Sequence, residues 1–427
     1  MNVRRLHRDY GLGLGIGTLL VVALAGSIWW LNVRGEFQPI APDPTSLTST
    51  RLAERGTYLA LAGNCAGCHT ARGGAPYAGG EGIATPFGTV YAGNLTPDGA
   101  TGIGTWSEDD FWRALHNGRS KNGRLLYPVF PYPNTTRITR ADSDALHAFL
   151  QTRAPVQRPN RAHELQFPYD TQLALALWRA MYFRPGVFEP HADQSRDWNR
   201  GAYLVRGLGH CDACHGSRNA LGASNSALEL GGGVIPLQNW YAPSLARADE
   251  AGGAERPLAQ VVQLLQTGTT AQGSVLGPMA EVVWRSTQHL HADDLRSMAT
   301  FLQALPQGPT SSRTVEIADP ATLSAGRRVY DDHCASCHGD QGQGARGAYP
   351  PLAGNRSVTM DVSTNVVRVI VEGGFAPATA GNPRPYGMPP FGSALTRAEI
   401  AAVATYIRND FGNRARPVSE VDVILLR

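Results

Sequence analysis

Charge is scarce in this sequence. Asp, Glu, Lys and Arg make up only 17% of its 427 residues, against about a quarter in an ordinary soluble domain. The 38 basic and 35 acidic side chains leave a formal net charge of +3 and no long basic run, so the electrostatic footprint of a nucleic-acid-binding protein is missing. Long hydrophobic runs are scarce too. Only one, near the N-terminus, could cross a bilayer, which excludes a polytopic transporter. There is no G-x-G-x-x-G in a strand–helix setting, no P-loop and no H-E-x-x-H. Apolar residues still reach 42%, enough for several cores, which excludes wholesale disorder. The 48 Gly and 29 Pro point to loop-rich domains, and the length suggests two to four of them.

Cysteine is rare as well, and all six are placed alike: Cys65 and Cys68, Cys211 and Cys214, Cys334 and Cys337. Every pair is spaced C-x-x-C and followed at once by His69, His215 or His338. This is the c-type haem attachment signature. Residues three apart lie on one helical face, so both thiols reach the two vinyl groups of one porphyrin. The histidine then faces the iron as proximal ligand. A zinc site would need four ligands drawn from mixed pairs, and a redox dithiol does not require the histidine. The expected cofactors are therefore three covalently bound haem c groups, with no cysteine left for a disulfide. Covalent haem c is assembled outside the bacterial inner membrane, so export is implied.

The uncharged stretch Gly11 to Leu31 would be about 31 Å long as a helix. Arg4, Arg5 and Arg8 precede it, placing the N-terminus in the cytoplasm and the bulk in the periplasm, and Trp29 and Trp30 sit at headgroup level. Ala23-Leu24-Ala25 resembles a signal cleavage site, but the apolar run continues to Leu31. Residues 1–34 are read as a retained anchor in preference to a cleaved signal.

The chain then repeats itself three times. Gly56, Gly201 and Gly326 precede the first cysteine of each pair by 9, 10 and 8 residues within an apolar helix. A middle helix ends in Gly118, Gly268 or Gly373, where a helix stop is expected. An amphipathic closing helix follows, with Ala145, Leu146, Phe149 and Leu150; Leu295, Met298, Phe301 and Leu302; or Ile400, Val403, Ala404 and Ile407. The expected fold is mainly α: three tandem class I cytochrome c-like domains over residues 48–154, 198–305 and 320–413 after an N-terminal membrane helix. The connector, residues 155–197, is too apolar for a free linker and is expected to pack between domains or against a partner.

Methionine as sixth ligand raises a haem's potential and suits it to electron transfer. Met388, in Tyr386-Gly387-Met388-Pro389, and Met279, in Leu276-Gly277-Pro278-Met279, occupy the loops before the closing helices. Met298 reads as core, and Met360 competes weakly with Met388. The matching loop of the first repeat carries Phe130, which cannot bind iron. Either another side chain reaches that iron (Met181, His116, His147 and His163 are the candidates), or it is five-coordinate, or a partner supplies the ligand.

These motifs resemble the three-haem cytochrome c subunits of membrane-bound periplasmic dehydrogenases. The likeness runs from about residue 48 to 413. It rests on Arg55-Gly56-x-Tyr58-Leu59, Gly102-Ile103-Gly104-x-Trp106-Ser107, Trp198-Asn199-Arg200-Gly201-Ala202-Tyr203-Leu204-Val205, Gly207-x-Gly209-His210-Cys211, Arg218-Asn219 and Asn239-Trp240-Tyr241-Ala242-Pro243. The resemblance implies Met279 and Met388 as distal ligands, and an electron relay without a substrate pocket of its own. It implies a catalytic partner of molybdenum hydroxylase, flavin or quinoprotein type, with ubiquinone or an oxidase-linked carrier as acceptor. The expected place is the bacterial inner membrane, periplasmic side. The family pattern has Met-Pro-Tyr where this chain has Phe130-Pro131-Tyr132, a departure closest to the branch paired with molybdenum hydroxylases. Two other readings stand beside it: a haem enzyme using an open first haem, and a cytochrome subunit of a terminal oxidase.

Overall fold

The computed structural model describes residues 3–34, 36, 48–224, 228–254, 256–308 and 316–426. It is mainly helical, with a three-stranded sheet and three two-stranded ladders. The N-terminal helix runs Val3–Val33. Its stretch Leu14–Val33 has a mean hydropathy of 2.0 and is exposed along most of its length, with Asn32 in the last turn buried. The side chains of Arg4, Arg5 and Arg8 lie outside the described residues.

Each repeat is built on a crossed helix pair. The opening helices are Ser49–Ala62, Arg196–Tyr203 and Pro320–His333. The closing helices are Arg140–Gln151, Ala292–Gln303 and Arg397–Asn409. Glycine is required where they cross. A Cβ on Gly56 would stand 1.9 Å from the Ala145 carbonyl oxygen, one on Gly201 1.9 Å from that of Ser297, and one on Gly326 2.2 Å from that of Ala402. No side chain fits in that gap, so the repeated glycines mark backbone-to-backbone packing.

The middle helices are Glu108–Asn117, Leu258–Thr267 and Thr364–Glu372. The first has a capping box between Ser107 and Asp110 and stops at left-handed Gly118. The unequal spacing from glycine to cysteine also has a cause. The second opening helix passes into a π-helical turn, Leu204–Leu208, which absorbs one extra residue. The third runs to His333, directly against Cys334.

The first two repeats share one hydrophobic core that joins Leu59, Phe149 and Leu150 to Tyr203, Leu204, Phe301 and Leu302. The third has its own core around Tyr330, Val367, Ile400 and Val403. Past residue 413 it adds the capped helix Glu420–Ile424, packed on its closing helix. The connector holds a helix, Gln172–Tyr182, against the N-terminal helix. Its strand Glu164–Leu165 extends the hairpin of Gly82–Thr85 and Gly88–Tyr91.

Candidate redox centres

Each cysteine pair lies on a short helical turn at the end of its opening helix. The three histidines are held in the same way. Nδ1 of His69 lies 2.7 Å from the Gly93 carbonyl oxygen, that of His215 2.7 Å from Pro243, and that of His338 3.0 Å from Pro350. A backbone carbonyl only accepts, so each Nδ1 carries the proton and each Nε2 keeps its lone pair for a metal. Burial lowers the pKa of all three, favouring the neutral imidazole that ligation needs. The carbonyls of the same histidines accept from the amides of Gly79, Gly232 and Gly344 at 2.8, 2.7 and 2.7 Å, closing a turn after each motif.

None of the six cysteines is paired in a disulfide. Among the described residues no group of three or more His, Cys, Asp or Glu could hold an ion, which leaves no zinc-type alternative there.

One cavity of about 990 Å³ is lined by Cys211, Cys214, His215 and Met279 from the second repeat and by Cys334, Cys337, His338 and Met388 from the third. Its walls include Leu245, Leu264, Ile235, Val366, Ile370 and Phe391. This apolar space, lined in each of the two repeats by an imidazole and a thioether, is of a chemistry that suits haem. Met388 lies on the two-residue strand Gly387–Met388, paired with Gly374–Phe375. Met279 sits in the first turn of the helix Pro278–Arg285, rather than in a plain loop. Met298 is buried core and also touches the cavity. Met360 is buried and does not line it.

The first repeat differs on its distal side. Phe130 is half-buried in a turn leading to the helix Tyr132–Thr135. Both ring nitrogens of His147 are engaged, one with Gln151 at 3.0 Å and one with the Trp106 backbone. Nδ1 of His163 accepts from the Tyr91 amide at 3.1 Å, so its proton sits on Nε2. The His116 ring stacks on Trp112, and its Nδ1 lies 3.4 Å from the Thr136 hydroxyl. Met181 is on the exposed side of the connector helix. In this arrangement His147 and His163 offer no free lone pair to a metal.

Two seams set the centres side by side. Between the first and second repeats, Asp142 accepts from Arg55 Nε at 2.7 Å and from the Tyr203 hydroxyl at 2.5 Å. Asp294 accepts from Arg200 Nε at 2.7 Å and from the Tyr58 hydroxyl at 2.6 Å. Each aspartate thus binds its own repeat's arginine and the other repeat's tyrosine, about a pseudo-two-fold axis. Cys68 lies close enough to Cys214 to feel its charge, so the first two cysteine pairs are neighbours. His210, just before Cys211, is half-buried with its ring hydrogen-bonded to the Gly63 backbone. Between the second and third repeats, the Asn365 amide makes a pair of bonds to the Tyr241 backbone, at 2.9 and 2.8 Å. These cross-repeat partners carry no sequence signal, because most are backbone atoms or residues distant in the chain.

Comparison with known proteins agrees with this geometry. The cytochrome c family matches residues 53–154 and 323–410. The chain is 37% identical over 395 residues to the cytochrome c subunit of the quinone-linked alcohol dehydrogenase of Gluconobacter oxydans, covering 88% of this chain and 82% of that one. It is 37% identical over 397 residues to the gluconate 2-dehydrogenase cytochrome c subunit of Pantoea cypripedii, covering 88% and 89%. The chain belongs to the family of dehydrogenase cytochrome c subunits. This cytochrome c subunit is also 38% identical over 412 residues to one of the subunits of the nicotinate dehydrogenase of Pseudomonas putida. That match covers 94% of this chain but only 33% of that protein. As a member of this family it carries covalent haem c and transfers electrons, and the catalytic chemistry belongs to another chain.

Proposed function

We propose that this cytochrome subunit is a three-haem relay carrying electrons from a periplasmic dehydrogenase to ubiquinone or an oxidase-linked acceptor. The dehydrogenase is of molybdenum hydroxylase, flavin or quinoprotein type. The subunit is held at the periplasmic face of the inner membrane by its N-terminal helix. Its domains are residues 48–154, 198–305 and 320–413. The observation that carries this reading is the shared cavity, where two complete Cys, Cys, His and Met sets face one space beside a third attachment site.

In each domain the cysteine pair (Cys65 and Cys68, Cys211 and Cys214, or Cys334 and Cys337) would hold the porphyrin by thioether bonds. His69, His215 and His338 would ligate iron through Nε2, oriented by their carbonyl partners. Met279 and Met388 would complete the second and third centres, raising their potentials and keeping water out. Bound haem supplies reversible one-electron chemistry. The protein's part would be to hold the three centres at fixed separations, with the second between the other two.

Low-temperature electron paramagnetic resonance of the oxidised protein tests this, with haem content measured alongside. Three haems per chain are expected. Met279→Ala and Met388→Ala should each convert one low-spin signal to high-spin and leave the other intact. Two haems per chain, or low-spin signals indifferent to both substitutions, would contradict the assignment. A high-spin signal in the unaltered protein that responds to cyanide would mark the first centre as open and favour a reactive site there.

A further inference from the structure

The connector helix Gln172–Tyr182 is apolar on both sides. Its inner side is accounted for by buried Leu175 and Arg179. Arg179 Nη1 donates to the Asn117 carbonyl oxygen of the first repeat at 2.6 Å. Its outer side carries Leu173, Leu177 and Met181, spaced four apart and therefore in line, at 68%, 41% and 52% exposure. Phe167, 82% exposed, precedes the helix, and exposed Tyr182 ends it. A water-facing helix surface is ordinarily polar. A continuous apolar line of this kind marks a binding surface.

The neighbours of this surface indicate what covers it. The last turn of the N-terminal span is bonded to the same helix. Asn32 Nδ2 donates to the Ala176 carbonyl oxygen at 3.0 Å, and its Oδ1 accepts from Arg179 Nε at 2.9 Å. Just beyond the span, Arg34 Nη2 reaches the Phe183 carbonyl oxygen at 3.4 Å. A helix fastened to the end of a membrane span stands at the bilayer surface. The charges agree. Arg34 lies close enough to Arg184 to feel its repulsion, second to the effect of burial, while Asp170 is the one acid between Gln166 and Phe188. Paired cations beside an apolar line match a phospholipid interface, with phosphates above acyl chains.

We propose that the helix Gln172–Tyr182 lies in the outer-leaflet interface of the bilayer. Leu173, Leu177 and Met181 enter the acyl region, and Arg34 and Arg184 meet lipid phosphates. The proposal rests on reading the N-terminal helix as a retained anchor. A single span would leave the periplasmic part free to swivel. A second contact fixes the face that the first repeat turns to the membrane.

The test uses the full haem-loaded chain in vesicles of phosphatidylethanolamine and phosphatidylglycerol. A diazirine-bearing photoreactive residue replaces Leu173, Leu20 in the span, or exposed Val421 in the last helix, one at a time. Lipid adducts at position 173 are expected within about threefold of those at position 20, and on the order of tenfold above those at position 421. Adducts at position 20 but not at 173 would overturn the proposal and leave the anchor standing. So would a cross-link from 173 to a dehydrogenase chain when that partner is present. Lipid adducts at neither position would sink the anchor reading, and this proposal with it.

Discussion

The first and second repeats interlock, whereas the third is attached. The first two share a single hydrophobic core and exchange tyrosines across their seam. The third has a separate core and meets the second through the Asn365 pair, the Thr379 hydroxyl on the Thr267 carbonyl, and Arg368 over the Trp240 ring. Two positions explain the contrast. Tyr58 and Tyr203 stand two residues after their crossing glycines, where the third repeat has Arg328. Asp142 and Asp294 stand three residues before their crossing carbonyls, where the third repeat has Glu399. Glu399 instead closes the capping box of its own helix with Thr396. The same crossed helix pair thus becomes half of a two-fold unit or a free-standing one, according to two side chains.

The largest effect that separates these cases is at the crossing glycines. Gly201→Val would force side-chain atoms into the Ser297 carbonyl, since a Cβ at this position already stands 1.9 Å from its oxygen. The cost is about 3 kcal/mol or more. Because the first two repeats share a core, haem content should fall by two of the three proposed groups. Gly326→Val, similarly crowded against Ala402, should remove only the third. The pyridine haemochrome assay with mass spectrometry of each attachment peptide reads both. Loss of a single haem in Gly201→Val would mean that the shared core is not a folding unit.

The sequence carries the parts of this architecture that repeat locally. The C-x-x-C-H motifs, the opening glycines, the glycine-ended middle helices and the apolar stripes of the closing helices are patterns within a dozen residues, and the helices lie where those patterns put them. It carries less where the determinant is backbone or distant. The histidine partners are carbonyls of Gly93, Pro243 and Pro350, and any residue has a carbonyl. The Tyr58–Asp294 bond joins residues 236 apart in the chain. The spacings of 9, 10 and 8 residues look like scatter in the sequence, but a π-helical turn in the second repeat and a missing turn in the third account for them. The apolar connector is legible as unfit for solvent. Which of its two faces the protein covers emerges only from the fold.

A smaller effect probes the attached repeat. Asn365→Ala removes both bonds to the Tyr241 backbone at the seam, and leaving that partly buried peptide unpaired costs about 1–3 kcal/mol. The expected outcome is faster proteolytic release of the third repeat, with haem content and the unfolding of the first two unchanged. If the substitution destabilises all three together, the third repeat is not a separable body and the contrast drawn above fails.

The smallest effect is electrostatic and belongs to the interlocked pair. Burial raises the Asp294 carboxyl, but hydrogen bonds from Arg200 and Tyr58 and the Arg200 charge outweigh it and hold the group below its ordinary 3.8. A carboxylate depressed on folding stabilises the fold fully above its unfolded value, and that stability is lost as pH falls through the lower folded value. The calorimetric transition of the first two repeats should therefore drop more steeply below about pH 4 than it does in Asp294→Asn, which has no charge to lose. The third repeat also has a depressed acid, Glu399, held chiefly by the Thr396 backbone hydrogen bond, so its own transition falls with acid in either protein. The informative quantity is the difference between the two proteins. Flattening confined to the transition of the first two repeats would place Asp294 in their seam alone. Equal flattening in both transitions would couple the third repeat to that seam, and the molecule would then be one cooperative body.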